Sequence, residues 1–365
     1  MQGLERIKIK GYKSIKSLDL ELRSLNVLIG PNGSGKSNFI SYFKFINNLI
    51  EENLQNAVAK AGGASKLLHF GSKVTDSITS SLHFGQNSYH IEFEVSDDQK
   101  LYFVYEKTAF LGIGYDVPLT ENLGSGHFET LLKKESKKYQ RTVVADHIIR
   151  NLKNWKVYHF HDTSDTSKIK QICSIDDNEF FKEDGSNLAA FLYLLKEKHP
   201  ENYKAILQTV RLVAPFIKDF TLKPLKRNEE MIRLRWKHLN SDDYFDANQL
   251  SDGTLRFICI AVLLLQPKLP NTVILDEPEL GLHPYAINIL ASLFQSVSEK
   301  TQIIISTQSL LLMDNFEPKD IIVVDYIDGK SSLNRLNEED LEGWLDDYSL
   351  GELWEKNILG GRPKI

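Results

Sequence analysis

Cysteine is scarce in this chain. Its 365 residues include two cysteines, Cys173 and Cys259, which lie far apart in the sequence. Two distant thiols provide neither a disulfide framework nor a cysteine-based zinc site, so both of these classes are excluded. This scarcity is typical of a protein from a reducing compartment.

Long apolar runs are missing as well. The longest, residues 257–265 (FICIAVLLL), is too short to cross the hydrocarbon core of a bilayer. Residues 1–16 are charged and lack the apolar core of a secretory signal. We therefore expect a cytoplasmic protein without a membrane span.

Basic residues are not in excess, since 44 Lys and Arg stand against 49 Asp and Glu, for a net charge of −5. This balance argues against a protein that coats nucleic acid without sequence preference. One local basic cluster consists of Lys133, Lys134, Lys137, Lys138 and Arg141. Such a cluster is usually a solvated helix face, and here it is also the one obvious place for nucleic acid to bind.

The composition that remains is globular, with 42% hydrophobic and 25% charged residues. The length suits two or three domains, or one large domain with an insertion. In the first hundred residues, period-two patterns predict strands at 4–9 and 15–22, and an apolar strand at 26–29 precedes a helical pattern at 38–50. Alternating stretches separated by turn residues predict an antiparallel meander at 78–84, 89–95 and 101–105.

The last third of the chain alternates short apolar runs with helical patterns. The runs lie at 272–275, 302–306 and 321–324, and the helical patterns lie at 255–265 and 285–297. This alternation predicts a parallel sheet covered on both faces. The middle of the chain is charge-rich and helical in pattern, without the sustained heptads of a long coiled coil. We predict an α/β fold whose sheet begins at the N-terminus and resumes near residue 250.

Residues 30–37 read GPNGSGKS, which matches the phosphate-loop pattern between a predicted strand and a predicted helix. Its glycines allow successive backbone N–H groups to point into one concavity. Lys36 is placed to reach the β- and γ-phosphates, and the Ser37 hydroxyl is placed to bind Mg²⁺. The predicted strand before the loop and the predicted helix after it favour an ATP site over a plain glycine-rich turn. The predicted ATP-binding residues are Asn32, Gly33, Ser34, Gly35, Lys36, Ser37 and Asn38.

Residues 273–279 read VILDEPE, so two acids follow directly after a buried strand. Ligands of open α/β sheets bind at the carboxyl ends of the strands. We expect Asp276 to hold Mg²⁺, directly or through water, and Glu277 to act as general base or to position the attacking water.

Residues 250–254 read LSDGT, immediately before a helical pattern, and taken alone they favour a plain helix N-cap. The order of motifs carries more information. The phosphate loop, LSDGT, LDEPE, GLHP and ISTQS follow one another, and the opening contains IKGYKSIKS. Together they resemble the nucleotide-binding heads of ABC-type ATPases, in particular the soluble branch containing SMC, RecF and OLD-family ATPases. LSDGT resembles their LSGGQ signature, with Asp252 and Thr254 as departures from it.

The resemblance implies an ABC ATPase head at 1–110 and 245–365, with a mostly helical lobe inserted at 111–244. It implies that Ser251, Asp252 and Gly253 act in trans, on the nucleotide of a second subunit. Gly281 and His283 fall at the D-loop of the family, although His283 also suits a plain helix start.

Gln308 stands where the family usually has a histidine that contacts the γ-phosphate. A glutamine can donate a hydrogen bond and cannot carry charge, so the hydrolysis rate is open. For the glutamine of the loop joining the lobes, the resemblance points to residues 62–71, with His69 as the candidate.

Residues 155–163 (WKVYHFHDT) contain a further histidine pair, His159 and His161. With Asp162 and Asp165 as the acids nearby, the alternatives are a metal site and a packed structural strand, and the strand is the favoured interpretation.

The resemblance, which extends to the stretch 348–363, implies a stand-alone ATPase that binds ATP and Mg²⁺. Such a head forms a homodimer or higher oligomer through ATP and regulates a separate nuclease or effector in anti-phage defence or DNA repair. The alternative is an ATP-gated assembly or sensor module with negligible hydrolysis.

Overall fold

The computed structural model describes residues 3–114, 116–138 and 143–360. The strands, numbered in chain order, are β1 (Arg6–Tyr12), β2 (Ile15–Glu21), β3 (Leu25–Ile29), β4 (Ser77–Phe84), β5 (Asn87–Val95), β6 (Leu101–Phe110), β7 (Leu119–Gly124), β8 (Trp155–Tyr158), β9 (Cys173–Ser174), β10 (Ile217–Thr221), β11 (Met231–Ile232), β12 (Arg235–His238), β13 (Tyr244–Asp246), β14 (Thr272–Asp276), β15 (Gln302–Thr307), β16 (Ile321–Ile327) and β17 (Lys330–Arg335). The helices are α1 (Lys36–Ile50), α2 (Leu54–Lys60), α3 (Leu132–Lys138), α4 (Val143–Lys153), α5 (Leu188–Lys198), α6 (Pro200–Val213), α7 (Asp252–Leu265), α8 (Pro284–Ser298), α9 (Leu310–Met313) and α10 (Leu350–Glu355).

A six-stranded sheet forms the centre of the fold, in the order β17–β16–β3–β15–β14–β8. Neighbours from β16 to β8 are parallel, and β17 pairs antiparallel with β16. Along β15, Ile303 and Ile305 pack into one apolar cluster, whereas Ile304 packs into another on the opposite face. Both faces are therefore covered, as its apolar runs require, and the predicted α/β fold with a parallel sheet is confirmed.

The second large sheet is antiparallel, in the order β2–β1–β4–β5–β6–β7. The predicted meander is found as β4, β5 and β6, which pair in sequence. Helix α1 packs against both sheets through aromatic side chains. The ring of Phe45 lies 5.7 Å from that of Phe93 on β5, and the ring of Phe43 lies 5.0 Å from that of Trp155 on β8. This packing holds the start of α1 beside the carboxyl edge of the central sheet.

The middle of the chain packs closely against the central sheet. Helices α5 and α6 contribute to the same apolar cluster as α7 and α8. Strand β8 pairs with β14 in parallel, with Val157 opposite Ile274. The division into a discontinuous head and a lobe at 111–244 remains a prediction, and that range also supplies an edge strand to the central sheet.

The apolar run at 257–265 lies in α7, which has 14 residues and is buried along most of its length. Across the described part of the chain, no helix is both long enough and apolar enough to cross a bilayer.

Candidate functional site

The glycine-rich loop connects β3 to α1, as the sequence predicts. Gly30, Gly33 and Gly35 all have positive φ, at 159°, 81° and 111°. A Cβ at Gly30 would overlap the Val324 carbonyl oxygen, and one at Gly35 would overlap the Ser331 hydroxyl. Glycine is therefore required at these two positions both by backbone conformation and by space.

Lys36 begins α1 and folds back over this loop. Its side chain is buried, with the residue 5% exposed, and Nζ donates to the carbonyl oxygens of Gly30 at 2.5 Å and Pro31 at 3.1 Å. Burial lowers the pKa of Lys36, and the carboxylates of Glu277, Asp276 and Glu279 act in the opposite direction. The ammonium group thus lies within the field of the acids that follow β14.

A cavity of about 220 Å³ opens at this loop. Its lining residues are Pro31, Asn32, Gly33, Gly35, Lys36, Ser37, Asn38 and Glu277. Backbone amides at a helix start and a buried ammonium favour an anion such as phosphate. A Cβ at Gly33 would meet no atom within 4 Å, so the loop backbone faces open space there. The residues present therefore fit a nucleotide phosphate chain.

Mg²⁺ prefers oxygen ligands, and two are available near this cavity. Ser37 is exposed in the cavity wall. Asp276 ends β14 and accepts a hydrogen bond from the Ser306 hydroxyl on β15, although it does not line the cavity. This donor set suits a magnesium ion carried by the nucleotide.

Glu277 and Gln308 meet at the ends of β14 and β15. The Gln308 amide group donates to a Glu277 carboxylate oxygen and to Asn32 Oδ1, the latter at 2.8 Å. Glu277 has a φ of 44°, in the left-handed region, and its backbone N–H donates to the Ser306 carbonyl at 2.9 Å. The strained backbone and the amide contact together fix the carboxylate in the cavity wall.

Several residues that support the site were not found by sequence reasoning. Ser331 Oγ on β17 donates to the Ser34 carbonyl at 2.7 Å and lies 2.7 Å from Ser14 Oγ, which accepts from the Asn38 amide at 2.7 Å. Glu279 is buried, accepts from the Thr307 hydroxyl, and has a pKa raised by that burial. Ser14 belongs to the IKGYKSIKS stretch, and the family resemblance of that stretch could have indicated that Ser14 lies near the site.

The LSDGT and GLHP stretches lie at two helix starts. Ser251 caps α7 by accepting from the Thr254 N–H at 3.2 Å, and His283 caps α8 by accepting from the Tyr285 N–H at 3.2 Å. Ser251, Asp252, Gly281 and His283 are exposed, whereas Gly253 is buried against the backbone of Gly281. None of the five lines the cavity at the phosphate loop.

His69, the candidate for the lobe-joining residue, also lies outside that lining. It is buried, and its Nδ1 is 2.7 Å from the Lys13 carbonyl oxygen. His159 follows β8, which pairs with the strand that ends in Asp276. Burial lowers the pKa of His159 to about 4, and its Nε2 atom is buried without a hydrogen-bond partner. This histidine, rather than His69, stands at the carboxyl edge of the sheet.

Two sets of candidates remain, the histidine pair and the basic cluster. Among the described side chains, no group of three or more His, Cys, Asp or Glu residues is arranged to hold a metal ion. In the basic cluster, Lys133 lies 3.8 Å from a Glu52 carboxylate oxygen and Lys134 is exposed. Arg141 and the side chains of Lys137 and Lys138 lie outside the described part of the chain.

The loop geometry predicts unequal costs for two glycine substitutions. Both Gly35→Ala and Gly33→Ala force alanine into a positive φ, at a cost of about 1–3 kcal/mol. Only at Gly35 does the new Cβ also meet side chains, and overlap of this kind costs roughly 1–3 kcal/mol more. Chemical unfolding without nucleotide should therefore show a larger loss of stability for Gly35→Ala. Equal losses would contradict the packing of β17 on the loop.

Comparison with known proteins places these features in a family. Residues 25–314 match the family model described as "AAA domain, putative AbiEii toxin, Type IV TA system". A 47-residue segment is 43% identical to the chromosome partition protein Smc of Methanocaldococcus jannaschii; it makes up 13% of this chain and 4% of that protein. The chain therefore spans a small part of that relative's length.

Two solved structures share the fold over nearly the whole chain. One is an Smc head bound to the C-terminal winged-helix domain of ScpA, with a TM-score of 0.60 and 17% identity, covering 94% of this chain and 99% of that one. The other is an Smc head with an extended coiled coil, bound to the C-terminal domain of ScpA derived from Pyrococcus furiosus. Its TM-score is 0.59 at 16% identity, covering 95% and 99%. At the level of the fold, the resemblance to SMC heads is thus confirmed, and the chain belongs to the AAA-domain family described as "putative AbiEii toxin, Type IV TA system".

Proposed function

We propose that this chain is a Mg²⁺-dependent ATPase head that closes with a second copy around ATP. The observation that carries the proposal is the meeting of three segments, distant in sequence, at one cavity. Lys36 comes from the phosphate loop, Glu277 from the end of β14 and Gln308 from the end of β15. A buried cation, free loop amides and a fixed carboxylate are the groups that phosphoryl transfer to water requires.

Each of these groups has a distinct role in the proposal. Lys36 exchanges its loop carbonyls for phosphate oxygens, while Ser37 and Asp276 hold the ion that neutralises phosphate charge. Glu277 orients the attacking water and accepts its proton. Gln308 holds Glu277 in place by its amide contact. His159, at the edge next to Asp276, takes the place of the lobe-joining glutamine.

The exposed starts of α7 and α8 support the proposal that a second copy of the chain completes the site. Ser251 and Gly253 begin α7 outside the cavity, and a helix start favours a bound anion. The surface beside them includes Leu280 and Tyr285, which are 50% and 58% exposed. A two-fold axis brings this surface of one chain onto the nucleotide of the other, with Gly281 and His283 in the same interface.

We further propose that the closed dimer regulates a separate nuclease or effector, in anti-phage defence or DNA repair. The family description names a toxin of a toxin–antitoxin system, and the similar Smc heads were solved in complex with domains of another protein, ScpA. Nucleic acid contact through the basic cluster that contains Lys133 and Lys134 is part of this proposal.

A second candidate is an ATP-gated assembly module with negligible hydrolysis. The observation that favours this candidate is the neutral amide of Gln308. The ATPases that this sequence resembles usually have a histidine at that position. An amide offers a hydrogen bond to the transferring phosphate and no positive charge. The two candidates differ in turnover and agree on nucleotide-dependent dimerisation.

Glu277→Gln distinguishes these candidates. The substitution keeps the shape of the side chain and removes the base, so ATP affinity should be preserved while turnover falls by about 10²–10⁴-fold. Phosphate release and light scattering should show a slow enzyme trapped as a dimer. Glu299→Gln, at the exposed end of α8, is the control and should behave as the parent. A parent with no measurable turnover that still dimerises with ATP supports the second candidate, and a fast Glu277→Gln enzyme contradicts the catalytic role.

A further inference from the structure

Arg256 lies in the first turns of α7 and is buried, with 5% of its surface exposed. Its guanidinium group donates to three backbone carbonyls on two other segments. Nε bonds to Phe160 at 3.1 Å, Nη2 to His161 at 3.3 Å, and Nη1 to Leu280. The acceptors belong to the segment after β8 and to the loop between β14 and α8. One side chain therefore joins the start of α7 to both.

The packing of Arg256 is unusual for a buried cation. No carboxylate within the described residues forms an ion pair with it at 4 Å or less. Burial lowers its pKa, with Asp252 acting in the opposite direction from a distance. Because the guanidinium group is planar and its N–H donors have fixed directions, it holds the three carbonyl acceptors in one arrangement.

A second contact joins the same two segments. Gly253, one turn before Arg256, lies so close to Gly281 that a Cβ would overlap the Gly281 carbonyl oxygen. Gly281 has a φ of 77° and is itself next to the guanidinium group, whose Nη1 would be 3.3 Å from a Cβ there. The start of α7 and the 280–282 loop thus meet through backbone contact on one side and Arg256 on the other.

We propose that Arg256 is a positioning residue that holds the Ser251 helix start and the 280–282 loop as one rigid surface. The same fork ties this surface to the segment after β8, where His159 stands beside the strand of Asp276. The inference rests on the proposed function, because the surface acts on the nucleotide of a second copy. Arg256 does not line the cavity at the phosphate loop, and its role is to hold the surface that is presented to the second copy.

Arg256→Lys tests the proposal, since it keeps the charge and loses the three-way fork. ATP binding to a single head should stay within twofold of the parent, while ATP-dependent dimerisation and turnover should fall at least tenfold. Mixing should then reveal where the defect acts. Combination with inactive Lys36→Ala should restore activity, because one composite site of the mixed dimer is intact. Combination with Ser251→Arg should restore none, since both defects then lie on the same kind of surface.

Other mixing patterns overturn the proposal. Recovery with Ser251→Arg and none with Lys36→Ala would place Arg256 at its own chain's nucleotide. Recovery of turnover with both partner variants, or with neither, would show that Arg256 does not act through the surface presented to the second copy.

Hydrogen exchange measured without nucleotide tests the role of Arg256 independently of dimer formation. The Leu280 and Leu282 amides bond to the carbonyls of Glu277 and Glu279, at 3.2 and 3.0 Å. Hydrogen exchange at these amides should accelerate in Arg256→Lys and in Arg256→Met, while exchange in the phosphate loop stays at the parental rate. Unchanged exchange at 280 and 282 refutes the positioning role. A parent that fails to dimerise with ATP refutes the proposed function and leaves this exchange result to decide the role of Arg256.

Discussion

Lys36→Ala is expected to weaken ATP binding by at least tenfold. The ammonium group is buried at the mouth of the phosphate cavity, so its contact with phosphate is charge-assisted and poorly solvated. Loss of such a contact costs about 1.5–3 kcal/mol or more, which is roughly ten- to more than a hundredfold in affinity. Titration calorimetry with ATP and Mg²⁺ measures the loss directly.

The control for this experiment is a lysine of equal charge that lies away from the site. Lys60 ends α2 in an exposed position, so Lys60→Ala should bind ATP as the parent does. Lys36 also bonds to the loop carbonyls, and unfolding curves without ATP should confirm that both variants are folded. Equal affinity in a folded Lys36→Ala protein would contradict the assignment of the loop.

Local signals made much of the fold and the phosphate loop predictable. The GPNGSGKS stretch contains its own glycines, lysine and serine, and its flanking strand and helix are each encoded by a periodic pattern of neighbouring residues. The same holds for β14, whose apolar run ends at Asp276. Structure of this kind depends on contacts close in sequence, so a single chain is enough to predict it.

Contacts between distant segments were not predictable in this way. Gln308 and Asn32 are 276 positions apart and meet because β3 and β15 are neighbours in the sheet. Ser331 supports the Ser34 carbonyl across 297 positions. The ISTQS motif placed Gln308 at the site only through the family resemblance, and no sequence pattern pointed to Ser331.

Strand order explains why no sequence pattern connected His159 with the strand that ends at Asp276. The stretch around Trp155 was correctly interpreted as a packed strand, but nothing local shows that it lies beside β14. That neighbour relation brings His159 to the carboxyl edge of the sheet. His69 comes from a loop that packs against Lys13 and bonds to its carbonyl. The order of strands in a parallel sheet depends on crossover connections, which leave no short-range trace in the sequence.

The dimer is the most demanding prediction, because it needs groups from two chains. The cavity of one head is lined by its own phosphate loop and Glu277, and Ser251 lies outside that lining. Ser251→Arg adds bulk and charge at the start of α7. It should leave ATP binding by a single head nearly unchanged and abolish ATP-dependent association and hydrolysis. Ser296→Arg, on an exposed part of α8, is the matched control and should retain both.

Mixing two inactive variants then tests whether the site is shared. In a mixed dimer of Lys36→Ala and Ser251→Arg, one composite site carries both defects and the other carries none. Equal amounts should recover part of the parental turnover, because only the mixed dimer contains an intact site, and it contains one of two. Turnover measured across mixing ratios should peak near equality. No recovery, together with a monomer by light scattering for folded Glu277→Gln in ATP, would show that Ser251 does not act across chains, because a two-fold dimer that shares its sites must complement.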